Sequence, residues 1–123
     1  MKPGNKQGMT RIVKATRISM KGLAAAWKNE AAFRQELVLA IILLPTALLI
    51  NVSIIEKLLL IITIFIVLIT ELLNSAVEAV VDRVGSEHHA LSGQAKDIAS
   101  AAVFMSLVLC GITWAIILGH WLL

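Results

Sequence analysis

The chain has 123 residues, of which 59% are hydrophobic and 15% charged, and its mean hydropathy is +0.87. That balance excludes an ordinary soluble domain of this size and points to one small integral membrane domain spanning 1–123. A net charge of +3 could signal nucleic acid, but beside membrane spans anionic headgroups are the simpler partner.

The basic residues Lys2, Lys6, Arg11, Lys14, Arg17, Lys21, Lys28 and Arg34 all precede the first apolar run. No compact apolar stretch with a small-residue cleavage site follows them, so no signal peptide is expected and the chain is treated as mature. From about 10 to 28 the pattern predicts an amphipathic helix lying in the headgroup region. Ile12, Val13, Thr16, Met20, Leu23, Ala24 and Trp27 fall on one side, and Lys14, Arg17, Lys21 and Lys28 on the other. Gly22 weakens the case for an unbroken helix.

A first span is expected over about 31–50, its interfacial start supplied by Ala31 to Glu36 and its interior kinked at Pro45. Asn51, Val52 and Ser53 form a tight polar turn. The second span, about 56–82, is apolar to Ile69 and then carries Glu71, Asn74, Ser75, Glu78 and Asp82. At about 100° per residue these five side chains share an arc of roughly 100°, a face that cannot point at hydrocarbon. Acidic side chains at membrane depth cost on the order of 2 to 4 kcal/mol and commonly mark function. Arg83 to Gln94 reads as a polar connection, and the third span, about 96–120, is the most uniformly apolar. Cys110 lies inside it, so no intrachain disulfide is possible and the thiol reads as a packing residue. Ala99, Ala102 and Ser106, then Gly111, Ala115 and Gly119, are small residues that let helices approach closely.

The positive-inside rule puts the N-terminus and the Arg83 to Asp97 connection in the cytoplasm, so the acidic face emerges where ATP is found. Three thin helices can hardly enclose a polar cavity alone, and a homo-oligomer is expected. No Walker A, kinase glycine-rich loop, zinc spacing or dinucleotide fingerprint is present in the sequence. Carboxylate oxygens suit Mg²⁺, which takes one or two of them and completes its shell with water and nucleotide phosphates.

The stretch E-L-L-N-S-A-V-E-A-V-V-D at 71–82 resembles the signature of the prokaryotic diacylglycerol kinase family. So do N-E-A-A-F-R-Q-E at 29–36, R-I-V-K-A-T at 11–16, D-R-V-G-S-E at 82–87 and L-S-G-Q-A-K-D at 91–97, in the family's order. The resemblance implies an all-α homotrimer in the bacterial cytoplasmic membrane that transfers the γ-phosphate of ATP to the primary hydroxyl of diacylglycerol. It implies Glu71 as the base, with Asn74 beside it, and Glu30 and Glu78 as metal ligands. On the nucleotide side it places Arg11, Ile18, Glu30, Glu78, Glu87, His88, His89, Lys96 and Asp97. The lipid side takes Arg11, Ala32, Phe33, Arg34, Gln35, Glu36, Glu71, Ser100, Trp114, Ala115, Ile116, Ile117, Leu118 and Gly119. Ile18, Ala24 and His88 depart from the family's commoner residues, and His88 and His89 taken alone read as solvated loop residues. Two rival readings stand beside this one: an undecaprenol kinase of the same architecture, and an oligomeric proton-coupled transporter. A transporter's site belongs near the bilayer midplane, whereas this acidic face sits at one end of its helix.

Overall fold

The computed structural model describes residues 4–85 and 89–123, with side chains from residue 7 onward, and the described chain is all α-helical. In order come α1 (Gly4–Asn29), α2 (Ala31–Leu49), α3 (Ile54–Val84) and α4 (Ala90–Leu122). The last three are each long and apolar enough to cross a membrane.

α2 matches its expected span, whereas α1, α3 and α4 are longer than their hydrophobic patterns, because apolarity marks the lipid-immersed part of a helix and not its ends. α1 runs without a break through Gly8 and Gly22, beginning at Gly4 rather than near residue 10. α2 passes through Pro45, where the Thr46 hydroxyl donates to the Ile42 carbonyl at 2.9 Å. The largest correction concerns the polar connection expected from Arg83 to Gln94. α3 continues to Val84 and α4 already begins at Ala90, so Gly93 is helical. His89 caps α4, its Nδ1 accepting from the Leu91 N–H at 3.1 Å, and the good helix formers that follow extend the helix beyond its apolar part. Glu87 and His88 lie outside the described residues.

The start of α3 is fixed by a capping box. Ser53 Oγ accepts from the Glu56 N–H at 3.2 Å, and Glu56 Oε1 accepts from the Ser53 N–H at 3.0 Å. Lys57 reaches back over the turn, donating to the carbonyls of Leu48 at 2.6 Å and Ile50 at 2.8 Å. It thereby satisfies the end of α2, where a cation is favoured.

α3 is the hub, packing along α4 and against α2, while α1 meets α2. Ala40, Ala47, Leu60, Ile64, Trp114 and Ile117 form the buried cluster. It occupies the half of the bundle toward the turn at 50–53. The buried alanines of α2 are what bring that helix close to α3. In the other half the interface becomes polar: Thr70 Oγ1 and Ser106 Oγ lie 2.9 Å apart, linking α3 to α4. Large apolar side chains such as Leu39, Ile42, Phe65, Phe104 and Ile116 stay exposed, as suits helices solvated by lipid.

Candidate active site

The 31 residues of α3 at 1.5 Å each make a helix about 46 Å long, roughly 16 Å more than a hydrocarbon core of about 30 Å. With its start at the 50–53 turn placed at one bilayer surface, α3 leaves the hydrocarbon near residues 71–74. Glu71 and Asn74 therefore sit at the opposite surface, and Glu78 and Asp82 beyond it. α4, with 33 residues, likewise extends past the bilayer at its N-terminal end. The two helices form a projecting hairpin joined by Lys96 Nζ to Asp82 Oδ1 at 2.7 Å.

Glu71 is 4% exposed. The Glu36 side chain of α2 is its close neighbour, near enough for the two carboxyls to act on one another. Asn74 and Ser75 follow on the same face of α3, and Asn74 Oδ1, Ser75 Oγ and Glu36 Oε1 are buried without a hydrogen-bond partner among the described residues. Glu78 feels the charges of Glu30, Lys96, Glu71 and Asp82. Four acidic groups and one ammonium from the α1–α2 junction, α3 and α4 are thus gathered at one end of the bundle.

Glu30 owes its place to the break between α1 and α2. It is the single residue separating them, with an extended backbone and a side chain that makes no cap hydrogen bond. Alongside lies a cleft of about 560 Å³ between α1, lined by Ser19, Gly22 and Ala26, and α3, lined by Leu72, Ser75 and Ala79, with Glu30 at its edge. Ala26 is the one residue buried among the described side chains of α1, whereas Ile12, Val13, Met20 and Trp27 are exposed. The face of α1 toward the bundle thus carries Ser19, Gly22, Leu23 and Ala26, while most of the apolar side chains of its wheel stay exposed.

Among the described residues no three His, Cys, Asp or Glu side chains form a ready metal cage. Two neighbouring glutamates nevertheless fit a hard cation that brings water and phosphate oxygens as its remaining ligands.

The other sequence candidates divide. Arg11 and Ile18 are exposed on α1, and Ala32, Gln35, Asp97 and Ser100 are also exposed. Phe33 is 1% exposed and serves as core in the first turn of α2. Arg34 is half-buried, and its Nη1 donates to the carbonyls of Trp27 and Lys28 at 2.7 and 3.2 Å. His89 is occupied as the cap of α4. Trp114 to Gly119 are not brought to the carboxylates. Ser106 lies level with Thr70, and Trp114 is eight residues further, about 12 Å along the helix. Trp114 and Ile117 are buried in the cluster of the opposite half.

Sequence reasoning missed Thr70 and the capping and clamping roles of Ser53, Glu56 and Lys57. The S-I-I-E pattern at 53–56 was an available signal for the capping box. Nothing local announced the neighbourhood of Glu36 and Glu71, which depends on the register of α2 against α3.

Membrane-length helices with a carboxylate-rich end where they leave the bilayer define an integral membrane protein whose polar site adjoins the lipid surface. The chain belongs to the prokaryotic diacylglycerol kinase family. That family's model, "Prokaryotic diacylglycerol kinase", matches residues 17–118. The chain is 54% identical to the diacylglycerol kinase of Escherichia coli K12 over 114 residues, 93% of each chain. It is 50% identical to that of Haemophilus influenzae over 111 residues, 90% of this chain and 94% of the relative. With that of Helicobacter pylori J99 the identity is 39% over 121 residues, 98% of this chain and 91% of the relative.

Proposed function

We infer that this family member is an ATP-dependent lipid kinase that transfers the γ-phosphate of ATP to the primary hydroxyl of diacylglycerol, giving phosphatidic acid. The observation that carries the reading is the gathering of Glu30, Glu71, Glu78, Asp82 and Lys96 at the end where the apolar helices leave the bilayer. A lipid alcohol cannot leave the membrane and ATP cannot enter it, so the chemistry belongs at that level.

Glu71 takes the proton of the attacking hydroxyl, and Asn74, three residues on, orients that hydroxyl by donating its amide N–H to the hydroxyl oxygen. In a loose phosphoryl-transfer transition state the proton leaves late, so much of Glu71's effect is to hold the hydroxyl in line with the γ-phosphorus. Glu30 and Glu78 would hold Mg²⁺, which would supply charge neutralisation for the transferring phosphate. Lys96 adds a positive charge on the nucleotide side, and its ion pair with Asp82 keeps the ammonium on the α3 side of α4. Arg11 and the basic face of α1 meet headgroups and phosphate at the membrane surface, α1 lying in the interface. The cleft between α1 and α3 supplies an entry for the glyceryl end of the lipid.

The working form is a homotrimer in the bacterial cytoplasmic membrane, N-terminus inside, with sites shared between neighbours. The basic N-terminal segment supports that orientation. Three thin helices can hardly enclose a polar cavity alone, which favours the oligomer. The test follows labelled γ-phosphate into phosphatidic acid with purified protein in mixed micelles. Transfer should require a divalent cation, and Glu30→Gln and Glu78→Gln should each raise the concentration needed for half-maximal rate. An unchanged cation requirement in both variants would contradict the assignment.

A further inference from the structure

We propose that Arg34 is a positioning residue for phosphoryl transfer, one that fixes the carboxylate of Glu30 by clamping the end of α1; the proposal rests on the reading of Glu30 given above. Glu30 is the whole of the junction between two long helices. Its backbone is extended, at φ −121° and ψ 106°, yet it is bonded helically on both sides. The Glu30 N–H donates to the Ala26 carbonyl at 2.9 Å, and the Glu30 carbonyl accepts from the Arg34 N–H at 3.2 Å. Any change in the bend between α1 and α2 must therefore be taken up at Glu30 itself, and it moves the carboxylate relative to Glu78.

One side chain locks that bend. Arg34, in the first turn of α2, sends Nη1 back across the junction to the Trp27 and Lys28 carbonyls, at 2.7 and 3.2 Å. These belong to the last turn of α1, whose carbonyls lack intrahelical partners. Bonds from a guanidinium to them are charge-assisted, and a helix C-terminus favours the cation.

The same device recurs at the other junction, where Lys57 bonds the Leu48 and Ile50 carbonyls. That junction also has the Ser53–Glu56 capping box, whereas the N-cap at Glu30 makes no side-chain bond. The bend at Glu30 therefore leans on Arg34 more heavily than the 50–53 turn leans on Lys57. Nη1 is committed to two backbone carbonyls, and through them Arg34 acts on the bend at Glu30.

The test uses full-length protein in lipid with Cys110→Ala and spin labels introduced by Met20→Cys and Leu48→Cys, both exposed positions. Labelled chains are diluted into unlabelled ones so that distances within a chain are read by electron double resonance. Arg34→Gln should widen the α1–α2 distance distribution, and Arg34→Lys, able to donate to the same carbonyls, should largely restore it. In unlabelled protein, Arg34→Gln should lower kcat about tenfold, the scale of a modest misplacement, with KM for diacylglycerol unchanged. In a Glu30→Gln background the same change should cost less than about twofold, because residues acting as one unit are not additive. Unchanged distances, or an equal loss in both backgrounds with a raised lipid KM, would overturn the proposal. Full activity of Glu30→Gln alone would instead overturn the reading of Glu30, and with it the catalytic half of the proposal, whatever the distances show.

Discussion

Glu71→Gln separates catalysis from folding more cleanly than any other single change in this chain. Glu71 is 4% exposed, and glutamine keeps its volume and one oxygen, so no cavity forms. The substitution removes a proton acceptor and one negative charge beside Glu36. A positioned general base contributes about 10²- to 10⁴-fold, equivalent to about 2.7 to 5.5 kcal/mol in the barrier. Turnover should fall by that factor. Removing a like charge next to a second carboxyl does not destabilise the fold, so the midpoint of thermal unfolding should stay level or rise. The assay pairs labelled phosphate transfer in mixed micelles with unfolding followed by circular dichroism. Turnover within about threefold of the parent would refute the role of the base. So would lost turnover with a lowered midpoint, because the defect would then be structural.

Further expectations concern the scaffold. Leu60→Ala should cost about 2 kcal/mol, the low end of the Leu→Ala range, because lipid is as apolar as the helix interface and little transfer energy is lost; unfolding in mixed detergent measures it. A double-mutant cycle of Thr70→Ala and Ser106→Ala should give a coupling of about 0.6 kcal/mol, typical of hydroxyl bonds between membrane helices. Lys57→Met removes the donors to Leu48 and Ile50 and should cost about 1.5 to 3 kcal/mol in unfolding free energy. Since Lys57 lies at the end of the bundle away from the carboxylates, its kcat at a temperature where it is folded should match the parent's.

The sequence pattern was most readable where one physical rule dominates. Long apolar runs announced α2, α3 and α4 as membrane-length helices, and the helical spacing of Glu71, Asn74 and Glu78 put them on one face. It was least readable at helix ends, where capping decides. Ser53 and Glu56 build the start of α3, and His89 moves the start of α4 to Ala90. Contacts set by helix register were also hidden. The chain shows Arg34 as one more basic residue near the membrane, yet its guanidinium closes the end of α1. Glu36 stands 35 positions from Glu71, and only the packing of α2 on α3 makes them neighbours. On α4, the resemblance puts Trp114 to Gly119 on the lipid side, and the structure shows Trp114 and Ile117 packed in the apolar half.

The most direct test gives the purified protein Mg-ATP and equal mole fractions of diacylglycerol and undecaprenol in the same mixed micelles, and measures labelled phosphate in each lipid product. The account predicts that phosphatidic acid dominates and that Glu71→Gln lowers its formation by about 10²- to 10⁴-fold; transfer chiefly to undecaprenol, or to neither alcohol, would contradict it.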